Sequence, residues 1–471
     1  MADGRVTRQG RSIMTPRKKK TGHRNRLRLL SLLVGVLASG WLAGRADEPP
    51  IFAITHARVL TGSGAALADA TVVIADGLIQ AVGPDVSVPP GAAVIDGRGL
   101  TVYPGFIDAL TDVALGVPTP PQRPAAGPSG RAAAPPPGPI ARGPEDRPAT
   151  EPWRIAADMI RLDDERIASW REAGFTTVLA TPSGGIFPGQ ASLLDLAGER
   201  PEQMVVRAQA ALPLSFRPPG TFWSFPDSLM GVIAYIRQTL SDTRWAMQAT
   251  ALYEAQPRGV QRPVVDRTER TLAGVLERKE PVLVPANLDK EILRALRLIR
   301  EWEVPGVLYG VQQGYAVADR LAAAHVPVLV NLNWPTRPAD ADPEARPSLA
   351  ELRFRARAPT TPAELARRGV AFAFYSGGLK QPREIFAAVR RALEAGLPPE
   401  AALRAFTLGA AEILGVADRM GSIEPGKVAN LVVATGDPFA EKTTVRVVFV
   451  EGRRFEVRPT SPPPTDTGRQ P

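Results

Sequence analysis

The chain has 471 residues, 44% of them hydrophobic, which fills the cores of one large domain plus a smaller one and excludes disorder as its general state. A formal charge of +9 ordinarily points to nucleic acid or an anionic membrane. Here, however, eleven of the 57 Lys/Arg and one of the 48 Asp/Glu fall in residues 1–46, leaving 46 basic against 47 acidic residues. The excess charge belongs to the leader, so no nucleic acid and no membrane beyond the leader segment is expected as a partner. With no cysteine there is neither a disulfide framework nor thiolate chemistry.

Residues 1–46 read as a secretory signal peptide: a basic stretch, an apolar run Leu29–Leu42, then Gly44 and Ala46 before Asp47. Cleavage after Ala46 and export to the periplasm are expected. The alternative is an uncleaved tether, but a run broken by Ser and Gly falls short of the ~20 apolar residues that span a bilayer. Met14 is a second candidate start.

From Ile51 to Val102 the chain is a string of short strands. Thr71–Ala75, Asp76-Gly77 and Leu78–Val82 form a hairpin, because Asp-Gly supplies the two positive-φ residues of a type I′ turn. Strand-like pieces follow at Ala93–Ile95 and Leu100–Tyr103. The stretch 117–150, rich in Pro, Ala and Gly, reads as a disordered insertion. Helix-like segments then alternate with apolar strands: Trp153–Ala173 with Thr176–Ala180, Arg262–Arg278 with Pro281–Val284, and Lys290–Trp302 with Gly306–Tyr309. Gln313–Ala324 with Pro327–Val330, and Pro362–Arg368 with Val370–Phe374, complete the series. Continuous apolar strands alternating with amphipathic helices predict a parallel sheet covered on both faces. Over about 300 residues this closes as a (β/α)8 barrel, although Pro213–Pro226 blurs the repeat. Strand signals return at Asn430–Ala434 and Val445–Val450 after a Pro425-Gly426 turn. Residues 457–471 read as a disordered tail.

Three stretches resemble the amidohydrolase superfamily, in particular its imidazolonepropionase-like and dihydroorotase-like members. They are Ile54-Thr-His-Ala-Arg-Val-Leu60 through Asp76-Gly77 to Val102-Tyr-Pro-Gly-Phe-Ile-Asp108; Ala173-Gly-Phe-Thr-Thr-Val-Leu179 with Gly189-Gln190; and Ala402–Gly415 continuing through Gly421-Ser-Ile-Glu-Pro-Gly-Lys427 to Val433. The resemblance spans residues 51–455. It implies an α/β fold, a TIM-type barrel over 104–415, with a composite β-sandwich domain built from both chain ends, 51–103 plus 416–456.

The resemblance also implies zinc or another divalent metal at the barrel mouth. The family holds it with a His-x-His on the first barrel strand, two later histidines and a late Asp. This chain departs from that pattern. The two first-strand positions are Leu110 and Asp112, after Asp108. The next ligand places fall at Pro285–Asn287 and around Gln312, and the late Asp falls at Tyr375-Ser376. The chain has three histidines: His23 in the leader, His56 in an N-terminal strand and His325 ahead of a barrel strand, at its closed end. No lysine ends a barrel strand to serve as a carbamylated bridge. Asp108 and Asp112 are the weak oxygen candidates for a metal, and Asn331, Asn333 and Trp334 are either mouth ligands or turn residues. No cofactor and no confident catalytic residue is expected. The expected role is a degenerate binding or partner subunit, pairing with an active amidohydrolase paralogue or with itself. The alternative is a hydrolase of non-peptide carbon-nitrogen bonds acting through an unconventional site.

Overall fold

In the computed structural model, residues 51–116, 147, 149–218, 225–338, 340–342, 344 and 346–457 are described. The leader, most of the 117–150 stretch and all but the first residue of the tail lie outside them. Five N-terminal strands are β1 (Ile51–Val59), β2 (Leu67–Ala75), β3 (Leu78–Gly83), β4 (Ala93–Asp96) and β5 (Thr101–Pro104). Asp76 (φ 52°) and Gly77 (φ 77°) turn the chain between β2 and β3, as the Asp-Gly pair requires.

Eight strands build the barrel sheet: β6 (Phe106–Thr111), β7 (Phe175–Ala180), β8 (Ala191–Asp195), β9 (Val205–Pro213), β10 (Val282–Ala286), β11 (Gly306–Gly310), β12 (Val328–Asn331) and β13 (Phe372–Tyr375). They lie side by side in chain order from β6 to β13. Neighbouring residues divide between two apolar layers. Leu179, Leu283, Val307, Leu329 and Ala373 point into the barrel, while Val178, Val284, Leu308, Val330 and Phe374 pack under the helices. Burial on both faces is why these strands read as unbroken apolar runs.

The barrel departs from an all-parallel repeat at β8, which is antiparallel to both β7 and β9. The connection from β7 to β8, residues 181–190, carries no helix, and a parallel crossover needs a dozen or more residues. The chain therefore folds back as a meander. The other strand pairs given a register, β6 with β7 and β9 through β13, are parallel.

The expected helix Trp153–Ala173 is also corrected: only Arg166–Glu172 is α-helical, after a 3-10 turn at Ala156–Met159. The segment before it is drawn out along the end of the β7–β8 connection and the start of β8, where Glu151 N donates to Phe187 O, Ala156 N to Gln190 O and Ala157 N to Ser192 Oγ. A 27-residue helix, Leu229–Ala255, precedes β10. Ser228 caps its N-terminus by accepting from Gly231 N, and Val232, Ile236, Leu240 and Thr243 form its buried face.

After β13, the chain passes through Pro382–Glu394, Pro399–Phe406 and Leu408–Ile413 into β14 (Leu431–Ala434), β15 (Val445–Val450) and β16 (Arg453–Glu456). These strands join the N-terminal ones in one sheet, ordered β16-β15-β14-β5-β1-β2-β3, with β4 also pairing β1. The join is antiparallel, Leu431 opposite Pro104 through Ala434 opposite Thr101. Below the barrel, Ala410, Leu414 and Met420 cover Ile107 and the other inward residues, closing that end. Among the described residues no helix is long and apolar enough to cross a membrane.

Candidate functional site at the barrel mouth

The C-terminal ends of the parallel barrel strands surround a cavity of about 1140 Å³. Its floor is aromatic. Tyr309 and Tyr375 meet edge to face with ring centroids 6.5 Å apart, and the Tyr309 hydroxyl donates to Leu214 O at 2.7 Å. Burial pushes the Tyr309 phenol up to about 12 and that of Tyr375 higher still, so both stay neutral donors.

The first-strand residues part ways. Leu110, Thr111 and Asp112 line the cavity, but Asp108 does not. Expected at the mouth, Asp108 is instead 1% exposed in the seam between β6 and β13. It accepts from Trp170 Nε1 at 3.1 Å and from Ser376 N at 3.0 Å. The reason is strand alternation: Ile107 and Ala109 point into the barrel, so Asp108 points out toward the Arg166–Glu172 helix. Burial raises its carboxyl to about 6, against the pull of the Ser376 and Trp170 hydrogen bonds. Asp112 is engaged as well. Arg166 Nη1 donates to its Oδ1 at 2.6 Å, while Arg166 Nε and Nη2 hold Asp164.

Residues at the later ligand places form a clamp between strand ends. Gln312, almost fully buried, donates from its backbone N to Asn287 Oδ1 and accepts from Asn287 Nδ2. Its Nε2 donates to Asn331 O and Asn333 O. Asn331 Oδ1 accepts from Asn333 N at 2.7 Å. A Cβ on Gly377, at φ 62°, would meet Asn331 Oδ1 at 1.8 Å, so this position demands glycine on both counts. Asn333 is corrected in the same way as Asp108: its Nδ2 donates to Gly377 O, and it braces the rim without lining the cavity. Pro285, Asn287, Asn331, Tyr375 and Ser376 do line it. His56 bonds Asp69 on the surface, and His325 ends the Ala318–Ala324 helix in the left-handed region.

The cavity also holds residues that the sequence did not single out. Arg217 follows β9, Arg294 sits in the second turn of the Asp289–Trp302 helix, and Lys380 follows β13. In the sequence Lys380 is one of the lysines set aside because none ends a barrel strand. On a helix Arg294 looks like an ordinary solvated residue, and nothing local marks Arg217. The acid beside them, Glu291, is spent on Asn287 N and Leu288 N at 2.9 and 3.0 Å.

Residues 289–455 match the model of the amidohydrolase family. No curated protein matches the chain significantly. Among solved structures, an amidohydrolase from Thermotoga maritima is 26% identical with a TM-score of 0.69, the match covering 86% of this chain and 100% of that one. A prolidase complexed with N-methylphosphonate-L-proline is 19% identical (TM-score 0.51; 86% and 99% covered). A Xaa-Pro dipeptidase with methionine bound is 16% identical (TM-score 0.52; 86% and 100% covered). The last two are likenesses of fold alone. The amidohydrolase family's pattern thus covers the segment from the helix after β10 into β16, and the likeness to the Thermotoga maritima amidohydrolase extends over most of the chain.

Proposed function

We propose that this protein is an exported, catalytically degenerate amidohydrolase that binds a ligand at the barrel mouth or supports an active paralogue, its two-ended sheet serving as the superfamily's composite sandwich domain. The observation that carries the reading is the donor chemistry of the mouth. A catalytic zinc takes three or more N, S or carboxylate ligands with an open position for water. At the corresponding places stand Leu110, with no donor, Asp112, held by Arg166, and Asn287 and Gln312, which satisfy each other. Among the described residues no group of three or more His, Cys, Asp or Glu is placed to hold a metal ion. These residues do not fit the family's metal. What they can do is bind: two neutral tyrosines, several amides and a set of cations converge on one cavity.

Elemental analysis of protein purified without chelator tests this. Far less than one zinc per chain is expected, and added Zn²⁺ should leave the melting temperature unchanged, because a ligand stabilises only by binding the folded form. Stoichiometric tightly held metal, or metal-dependent cleavage of a carbon-nitrogen bond, would restore the hydrolase reading. The partner role is tested separately, by co-purification of a tagged chain with an amidohydrolase paralogue from the source cells.

A further inference from the structure

We infer that the mouth cavity is a site for a small organic anion, a carboxylic acid with an apolar or aromatic body. The inference deepens the binding reading above and rests on it, since it takes the mouth to be where this chain holds a ligand.

The first observation is an imbalance of charge. Four cations line the cavity, Arg166, Arg217, Arg294 and Lys380, against two acids, Asp112 and Glu291. Both acids are committed, Asp112 to Arg166 and Glu291 to the backbone N–H groups ahead of its helix. Arg166 is committed too, to Asp112 and Asp164. The side chains of Arg217, Arg294 and Lys380, which line the same cavity, enter none of the hydrogen bonds or ion pairs among the described residues. The chain beyond its leader is close to neutral, so three unpaired cations around one concavity are a local excess. Like charges converging on a cleft with low-dielectric walls raise its positive potential and concentrate anions there.

The second observation decides what kind of anion. A phosphate site at a strand-to-helix junction uses free backbone N–H groups at the helix N-terminus. Here Glu291 occupies that position at the Asp289–Trp302 helix, its Oε2 accepting from both Asn287 N and Leu288 N. The cations that remain are side chains standing around a floor of Tyr309 and Tyr375, with Leu110, Phe216 and Pro285 on the walls. Apolar and aromatic walls with a few polar anchors suit an organic body, and a guanidinium takes a carboxylate by paired N–H donation. About 1140 Å³ is ample for such a molecule.

The experiment is calorimetric titration of the full chain at low ionic strength with four probes: phenylsuccinate, 3-phenylpropionate, the uncharged 3-phenylpropionamide and inorganic phosphate. Expected are saturable binding of phenylsuccinate, at least tenfold weaker binding of the amide than of 3-phenylpropionate, and no competition by equimolar phosphate. The double variant Arg294→Met/Lys380→Met should bind phenylsuccinate at least tenfold more weakly. Should that variant fail to fold, the exposed Arg217→Gln reads the same effect. The inference is overturned if the amide binds as well as the acid, if phosphate competes equally, if neither acid binds, or if the variant that folds binds like the parent chain. Metal content of the same sample separates the two claims. Anion binding with stoichiometric metal would sink the degenerate reading alone, whereas metal-free protein that ignores the acids would sink this one alone.

Discussion

The two ends of the barrel are built on opposite principles. At the closed end side chains pack against and bond to one another. Phe175 and Phe406 stack edge to face at 5.7 Å, and Phe106 joins both at about 6 Å. The buried Asp195 accepts from Thr177 Oγ1 at 2.6 Å and from Asn430 Nδ2 at 3.1 Å, tying β8 to the chain entering β14. At the mouth, polar groups bond among themselves along the rim but leave three cations facing the cavity unmatched. Folding free energy accounts for the first arrangement and not for the second, and a part of a protein that stability does not explain is where binding is to be sought.

The sharpest way to break this contrast is to truncate the closed end. Phe406 is 1% exposed and touches the rings of Phe106, Phe175, Phe374 and Phe439. Phe406→Ala should cost about 3–5 kcal/mol through lost transfer energy and the cavity left behind. Urea unfolding measures it, and a loss no larger than a surface substitution gives would mean that the aromatic cluster does not hold the helices onto the barrel at this end.

The next largest effect depends on pH. Burial raises the Asp195 carboxyl from 3.8 to about 7, despite the Thr177 and Asn430 hydrogen bonds. One of its oxygens, Oδ2, is buried with no partner. The folded state therefore prefers the neutral acid. Its contribution is complete below the unfolded value near 4, drains away as pH rises toward 7, and is gone above that. Asp195→Asn keeps an acceptor for Thr177 and Asn430 but cannot ionise. Unfolding free energies measured from pH 4.5 to 7.5 should fall more steeply with pH in the parent chain than in this variant. Parallel curves would show that the carboxyl is solvated after all.

How much of this was legible in the sequence follows from what each position answers to. The β2–β3 hairpin could be read because Asp76-Gly77 obeys a local rule of backbone sterics, and the helix after β10 because its apolar period is uninterrupted. The strands β8 and β9 could not. They follow a Gly/Pro-rich loop and a reversal of direction that no local pattern announces. Trp153–Ala173 failed for a related reason: its first half spends its N–H groups on a loop more than thirty residues away. In the site, the superfamily's motif register led to Leu110, Asp112, Pro285, Asn287, Tyr375 and Ser376, and the end of a predicted strand to Asn331, all of which line the cavity. Asp108 was missed by one step of strand alternation. Arg217, Arg294 and Lys380 come from three separate connections and become a group only in three dimensions.

Between the two ends in expected effect lies Gly377, where the rim needs a residue without a Cβ. Gly377→Ala combines a positive φ with a clash against Asn331 Oδ1, and should cost about 1–3 kcal/mol. It should also loosen the Asn331–Asn333 turn, which amide hydrogen exchange at Asn333 would report. Protection equal to that of the parent chain would show that the rim is not braced there.

The smallest expected effect is the most telling one for the contrast. If the cations at the mouth are no part of what holds the fold together, their removal should be nearly neutral, within about 0.5 kcal/mol, as for surface substitutions that break no named interaction. Arg294→Met keeps most of the apolar stem and deletes a charge that pairs with nothing, so its unfolding midpoint should match the parent's, or exceed it slightly if the three cations repel one another. Arg166→Met is the control within the same cavity. It strips the partner from Asp112 and from Asp164, whose side chain is 4% exposed, and an acid left buried and unpaired costs stability. The two variants should therefore separate: a clear loss for Arg166→Met, next to none for Arg294→Met. Equal losses would place Arg294 in the scaffold and leave the open end of the barrel no different in kind from the closed one.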